Sequence, residues 1–281
     1  MTSTTEAVNG REGALSSSED DNANGGARAK EGMGGLAKGL AIIEAFNAST
    51  TRMTVSDAAH LAELSRPAAR RCLLTLVDLG YLAHDGKFFT PLPRMLRLGG
   101  AYLSTSSLPQ IAQPLLADAR DSLQESISLA VLDEGYSVFV ARAEAVRIVS
   151  TGVKLGGRLP AYCSATGRVL LSGMSDEAIR ASLDSVPMKR LTSRTLVSPE
   201  AVLKAIHRAA EQGYAVSDQE LEFGMSALAV PVKNRAGMVE AAISVSVFSG
   251  RVDMATLEGS FLPALQATAK RLERSLCVEG L

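Results

Sequence analysis

The apolar positions of residues 53–90 follow two helical periods and then an alternation. Val55, Ala58, Ala59 and Ala62 fall at i, i+3, i+4 and i+7, one face of a helix. Thr54 stands before them as an N-cap, with Asp57 in the first turn. After a short break at Glu63-Leu64-Ser65, Ser65 is the next N-cap candidate, and Pro67 sits in an early turn that tolerates it. Ala69, Cys72, Leu73 and Leu76 repeat the helical spacing, and Gly80 stands where that helix would end. Strand-like pieces at 81–84 and 87–90 flank Asp85-Gly86, a two-residue hairpin signal. Upstream, Leu36, Leu40 and Ile43, widened by Ile42 and Phe46, mark a helix over 36–47. Helix, short turn, helix and β-wing predict a winged helix-turn-helix over residues 35–93.

Downstream the period changes repeatedly. Leu92, Leu96, Gly99 and Leu103 continue a helical stripe, which predicts a linker helix over 94–109. The small residues on that stripe would let it pack closely against a copy of itself. Ala112, Leu115, Ala119 and Leu123 give a helix over 110–124. Strict alternation then predicts strands at 127–131, 136–143 and 147–151, with a Gly-rich loop at 155–160. Helices are expected at 164–172, 175–183 and 198–211, strands at 214–220, 227–233 and 238–247, and a closing helix at 254–274. This order indicates an α+β domain over residues 110–281 with a mainly antiparallel sheet.

Charge sharpens the picture only locally. The net charge is −1, so no overall basic field attracts nucleic acid. Residues 33–100, however, hold eight Lys and Arg against five Asp and Glu. This is the segment with the helix-turn-helix pattern, as a phosphate-facing module requires. The second helix would enter the major groove of double-stranded DNA with its early residues at the bases. Those residues are Ser65, Arg66, Ala68, Arg70 and Arg71, and Lys87 on the wing would reach the backbone. Residues 1–34 are rich in Ser, Gly, Asn and acids and nearly free of large apolar residues, so a disordered tail is expected there. Three widely spaced cysteines give no disulfide framework or metal spacing, and no cofactor is expected. Without a signal peptide or an apolar run of about 18 residues, a cytoplasmic location follows.

Three places in the second half could meet a ligand. Ser164, Ala165, Thr166 and Gly167 are small residues at a helix start, whose free N–H groups suit a carboxylate. Asp218, Gln219 and Glu220 follow a strand, and Ser244 and Ser246 share one face of another. Arg142 on a strand could pair with an anion. Cys163 beside the helix start could be an acidified thiol, which would make the chain a redox sensor. An enzyme acting on a small acid is a third reading, but His207 is the sole histidine of this half and no nucleophile–base arrangement is legible.

Several stretches together resemble the IclR family of bacterial transcriptional regulators. They are KGLAIIEAF (38–46), LSRPAARRCLLTLVDLGYL (64–82), PRMLRLG (93–99), LPAYCSATGRVLLS (159–172), GYAVSDQELEFGMSALAVPV (213–232) and AAISVSV (241–247). AYCSATGRVLL and DQELE are most similar to the subgroup that controls aromatic-acid catabolism in response to protocatechuate or 4-hydroxybenzoate. The resemblance implies a GAF-like effector-binding domain behind the linker helix and a homodimer that can pair into a dimer of dimers. It places the ligand's carboxylate at Ala165 and Thr166, Ser217 and Asp218, and Ser244 and Ser246. Cys163 and Glu220, next to these in the chain, are candidate ligand residues by their own position. Where the subgroup often has an arginine, two residues after the glycine that follows DQELE, this chain has Ser226.

Overall fold

The computed structural model of the chain describes residues 33–47, 49–146 and 153–279. Residues 1–32 of the expected tail and the strand expected at 147–151 lie outside the described residues. The chain divides into two compact units between Leu92 and Pro93.

The first unit contains α1 (Gly34–Glu44), α2 (Val55–Leu61), α3 (Arg66–Asp78), β1 (Leu82–His84) and β2 (Phe89–Pro91). Thr54 caps α2 in a reciprocal box. Its Oγ1 accepts from the Asp57 N–H at 3.3 Å, and the Asp57 carboxylate accepts from the Thr54 N–H at 2.8 Å. Glu63 takes a left-handed φ of 53° in the turn, and Ser65 then caps α3 through the Ala68 N–H. The core gathers Ile42, Met53, Ala58, Ala69, Leu73, Leu76, Leu82 and Phe89. Two details differ from the pattern. On α1, Ile42 is buried while Leu36 and Leu40 are exposed, because α3 is the helix that covers α1 and reaches one side of it. The wing has a four-residue loop instead of a two-residue turn, with His84 paired to Phe89. The Asp85 carboxylate accepts from the N–H groups of Lys87 and Phe88 at 2.9 and 2.7 Å, which stabilises the wider loop.

The second unit opens with a 3-10 turn at Pro93–Met95, then α4 (Leu96–Thr105) and α5 (Ser107–Leu123). Gly99 and Gly100 lie inside α4, and a Cβ at either would meet nothing within 4 Å. α5 starts three residues earlier than the spacing suggests, since Pro109 fits its first turn. Its buried stripe is Leu108, Ala112, Leu116 and Ala119, so Leu116 takes the place expected for Leu115.

Six strands form a wholly antiparallel sheet among the described residues, in the order β5-β4-β3-β8-β7-β6. They are β3 (Ile127–Asp133), β4 (Tyr136–Ala143), β5 (Arg158–Pro160), β6 (Ala215–Asp218), β7 (Met225–Lys233) and β8 (Val239–Phe248). β5 lies where a Gly-rich loop was expected. α6 (Ala165–Leu171), α7 (Asp176–Asp184) and α8 (Pro199–Gln212) follow β5 in the chain, and a final helical stretch ends it. That stretch is not continuous: α9 (Met254–Thr256) passes through a π-helical turn at Leu257–Phe261 into α10 (Leu262–Glu279). Pro263 has no N–H for the i−4 carbonyl, which loosens the turn before it.

Each face of the sheet carries a different layer. Leu228, Val230, Val232, Ile243, Val245 and Val247 pack with α5 and α10 around Leu116, Leu265 and Leu272. The opposite face presents Ala229 and Ala242 to Ala165, Val169 and Leu170 of α6. Small side chains there bring α6 close to the sheet. No helix of the described residues is long and apolar enough to cross a membrane.

Candidate functional sites

On the first unit, the face of α3 away from the core carries Arg66, Arg70 and Arg71, all exposed. Ser65 at the helix start is exposed as well, and its hydroxyl is engaged in capping. Ala68 is a correction to the sequence expectation. It is 8% exposed and belongs to the core of the helix pair, so it cannot face a base edge. The wing adds a residue that the sequence did not mark. Met53 pairs with Phe89 in a single antiparallel bridge, which brings Arg52 to the wing loop. There the Arg52 guanidinium lies 4.3 Å above the Phe88 ring, and the Lys87 ammonium lies 5.0 Å from it. Arg52 has no local signal because the bridge joins segments 36 positions apart.

On the second unit, a cavity of about 560 Å³ lies between α6 and the sheet. Ser164, Ala165 and Thr166 form its end at the start of α6, and Ser217, Ser244 and Ser246 come to it from β6 and β8. Phe139, Leu159, Leu221 and Met225 supply apolar walls. Strand register explains the grouping. Ser217 pairs with Ala227, Ala227 with Ser246, and Ala229 with Ser244, so all five share one face.

The local hydrogen bonds hold this end of α6 open. Ser164 Oγ accepts from the Gly167 N–H at 3.1 Å and donates to the Pro160 carbonyl at 2.9 Å. The N–H groups of Ala165 and Thr166, in the first turn, have no intrahelical acceptor. Thr166 Oγ1 donates to Ser137 Oγ at 2.8 Å, and Ser217 Oγ donates to the Cys163 carbonyl at 2.8 Å. The hydroxyls of Ser244 and Ser246 bond to none of the described residues. Among the described residues that line the cavity there is no Lys, Arg or His. A carboxylate there would meet these neutral donors, with the Glu222 carboxylate also on the lining.

Three residues expected at a ligand stand elsewhere. Asp218 points to the opposite side of β6 from Ser217. It accepts from Ser226 Oγ at 2.8 Å and pairs with Arg194. The Glu220 carboxylate is taken by Arg168 in a buried bidentate pair. Cys163 is fully buried in the layer between α6, α7 and α8, with Ile179, Val202 and Ile206. Burial pushes its thiol up to about 12, the reverse of the acidification expected beside a helix start. Native protein at pH 8 is therefore expected to leave Cys163 unreacted with a thiol reagent while exposed Cys277 reacts; rapid labelling of Cys163, read by peptide mass, would contradict this. Arg142 donates to Ser128 at 2.8 Å and to Glu144 at 3.1 Å. His207 is exposed and bonded to Asp176 at 2.7 Å, away from the cavity.

A winged helix-turn-helix and a sheet unit with a cavity beneath α6 define a DNA-binding protein that carries its own small-molecule pocket. Two family models match the chain: the IclR helix-turn-helix domain over residues 35–86, and the bacterial transcriptional regulator IclR C-terminal domain over residues 100–274. The chain belongs to the IclR family of bacterial transcriptional regulators. It is 43% identical to the Pca regulon regulatory protein of Pseudomonas putida over 241 residues, which cover 85% of this chain and 83% of the relative. It is 37% identical to the p-hydroxybenzoate hydroxylase transcriptional activator of Acinetobacter baylyi, over 87% of this chain and 92% of that one. An IclR homologue from Microbacterium hydrocarbonoxydans, crystallised with 4-hydroxybenzoate, is 28% identical with a TM-score of 0.69, covering 87% of this chain and 99% of its own.

Proposed function

We propose that this regulator senses a small aromatic carboxylate in the cavity beneath α6 and controls genes of aromatic-acid catabolism, with protocatechuate or 4-hydroxybenzoate as the type of effector. The observation that carries the reading is the cavity itself. Its volume suits one compact ligand, with apolar walls, a few convergent hydroxyls and two free N–H groups. The apolar walls would take a ring, and the start of α6 with Ser217, Ser244 and Ser246 would take the acid group and ring hydroxyls. The names of the relatives from Pseudomonas putida and Acinetobacter baylyi and the 4-hydroxybenzoate complex support the same class. On this reading the chain is a cytoplasmic regulator and not an enzyme, and residues 110–281 are its effector-binding domain.

On the DNA side, Arg66, Arg70 and Arg71 meet bases and phosphates in the major groove, with Ser65 at the helix start. Lys87 and Arg52 hold the backbone at the wing. α4 buries none of its residues, and Leu96, Leu98 and Tyr102 on it are exposed. Such a helix suits pairing with a second copy, so the active species is a homodimer whose half-sites lie about one helical turn, ~10 bp, or a multiple apart. Arg71→Ala is expected to weaken operator binding by about 1–3 kcal/mol. Unchanged affinity in fluorescence anisotropy would remove Arg71 from the interface.

The decisive experiment is anisotropy of the full chain on its own upstream intergenic DNA, at fixed salt, with and without protocatechuate, 4-hydroxybenzoate and related acids. One acid is expected to change the affinity. Tight binding that ignores every acid would reject the aromatic-acid reading. Ser246→Ala is expected to blunt the response without weakening binding in the absence of acid. An intact response would take that serine out of the site.

A further inference from the structure

The buried Arg168–Glu220 pair stands behind the cavity and lines none of it. Its side chains are 4% and 8% exposed. Arg168 is on α6, one turn beyond Ala165. Its guanidinium donates to both Glu220 carboxylate oxygens at 2.6 and 2.7 Å, to the Tyr162 carbonyl at 3.1 Å and to the Val216 carbonyl at 3.3 Å. Glu220 receives a further bond from the Leu196 N–H at 3.1 Å. All the polar atoms of the fork are thus directed at fixed partners.

Those partners belong to three walls of one cavity. Ala165 and Thr166 come from α6, Leu221 and Glu222 from the segment that follows Glu220, and Leu191 from the segment between α7 and α8. The last of these walls hangs on the Glu220 segment through two threonines. Thr192 Oγ1 donates to the Gln219 carbonyl at 2.7 Å, and Thr195 Oγ1 donates to the Glu220 carbonyl at 2.7 Å. Gln219 itself sits at a left-handed φ of 58°, a conformation that a non-glycine residue keeps only when its surroundings hold it.

Stability alone does not account for this arrangement. An apolar pair of similar volume generally holds a fold as well as a buried ion pair does. What a bidentate fork adds is direction, because it fixes both side chains in one plane and one register. We infer that Arg168 and Glu220 are positioning residues for effector binding: their fork locks the 187–197 and 219–222 segments to α6, so that the cavity is formed before the ligand arrives. A preformed site avoids the ordering cost of closing loops on a ligand. This rests on the effector reading given above.

The test uses the full chain with both residues replaced, Arg168→Met with Glu220→Leu. Melting temperature, operator affinity without acid, and the midpoint of the acid response are measured together, with the acid that moves the wild type. The expected result is near-wild-type melting and operator binding, with the midpoint raised at least about tenfold. A merely structural role would move melting and operator binding along with the midpoint. An unchanged midpoint in a folded double variant overturns the inference. Should that double variant not fold, Arg168→Gln with Glu220→Gln decides: it removes both charges and the fork together while keeping polar groups at both positions, so a raised midpoint supports the inference and a wild-type midpoint overturns it. If the wild type responds to no acid, the effector reading has failed. Direct calorimetric binding of benzoate-class acids to wild type and variant then separates that failure from this one, and equal affinities overturn the positioning role.

Discussion

Gly167→Ala is expected to unfold the second unit around α6, at a cost on the order of 3 kcal/mol or more, because the added methyl has nowhere to go. A Cβ on Gly167 would lie 2.2 Å from Ala161 Cα and 2.5 Å from the Ala161 carbonyl oxygen. These are backbone atoms, so no side-chain rotation relieves the overlap. Ala161 is itself tied by its N–H to the Gly135 carbonyl at 2.9 Å, at the turn between β3 and β4. α6 would have to move off the segment beneath it, and the start of the helix would leave the cavity. The measurement is thermal unfolding of the full chain with effector binding by calorimetry. A variant with wild-type melting and binding would show that the close approach is not needed.

Leu73→Ala is expected to abolish operator binding while acid binding survives. Leu73 is fully buried on α3, in a core that also contains Ile42, Ala69 and Phe89. Removing a buried leucine side chain costs about 2–5 kcal/mol. A unit of this size has roughly 3–9 kcal/mol in all, at about 0.05–0.15 kcal/mol per residue. The loss should therefore disorder the reading head without touching the sheet unit. Anisotropy on operator DNA and calorimetry with the acid give the two readouts. Retained operator affinity would mean that the head draws its stability from elsewhere, and joint loss of both activities would mean that the units do not fold separately.

What the sequence reveals divides along the range of the forces involved. The caps at Thr54 and Ser65, the antiparallel strands and the α/β order depend on near neighbours and on period, and each is legible. The grouping of Ser244 and Ser246 on one face follows from alternation alone. Asp218 and Glu220 are different. Their motif marks a polar turn, but only the tertiary structure shows that Arg194 and Arg168 occupy both carboxylates. Ala68 is similar: by position it lies among the early residues of α3, yet it is buried in the core of the first unit. Cys163 shows a local effect reversed by a global one, since the helix start favours the thiolate while burial opposes it more strongly. The wider wing loop depends on the choice of one side chain, Asp85, to bond two N–H groups. The contact between Arg52 and Phe88 depends on a bridge between distant segments.

β8 places two kinds of demand on alternate residues of one strand. Ile243, Val245 and Val247 lock the sheet to α5 and α10, while Ser244 and Ser246 face the cavity. Changes at the even-numbered positions should therefore redirect which compound the protein answers to, and changes at the odd ones should alter how much heat it withstands. A library built on residues 244 and 246 alone would search new effectors on an intact chassis. In that sense the strand is a ready-made boundary between a biosensor's tunable reader and its durable frame.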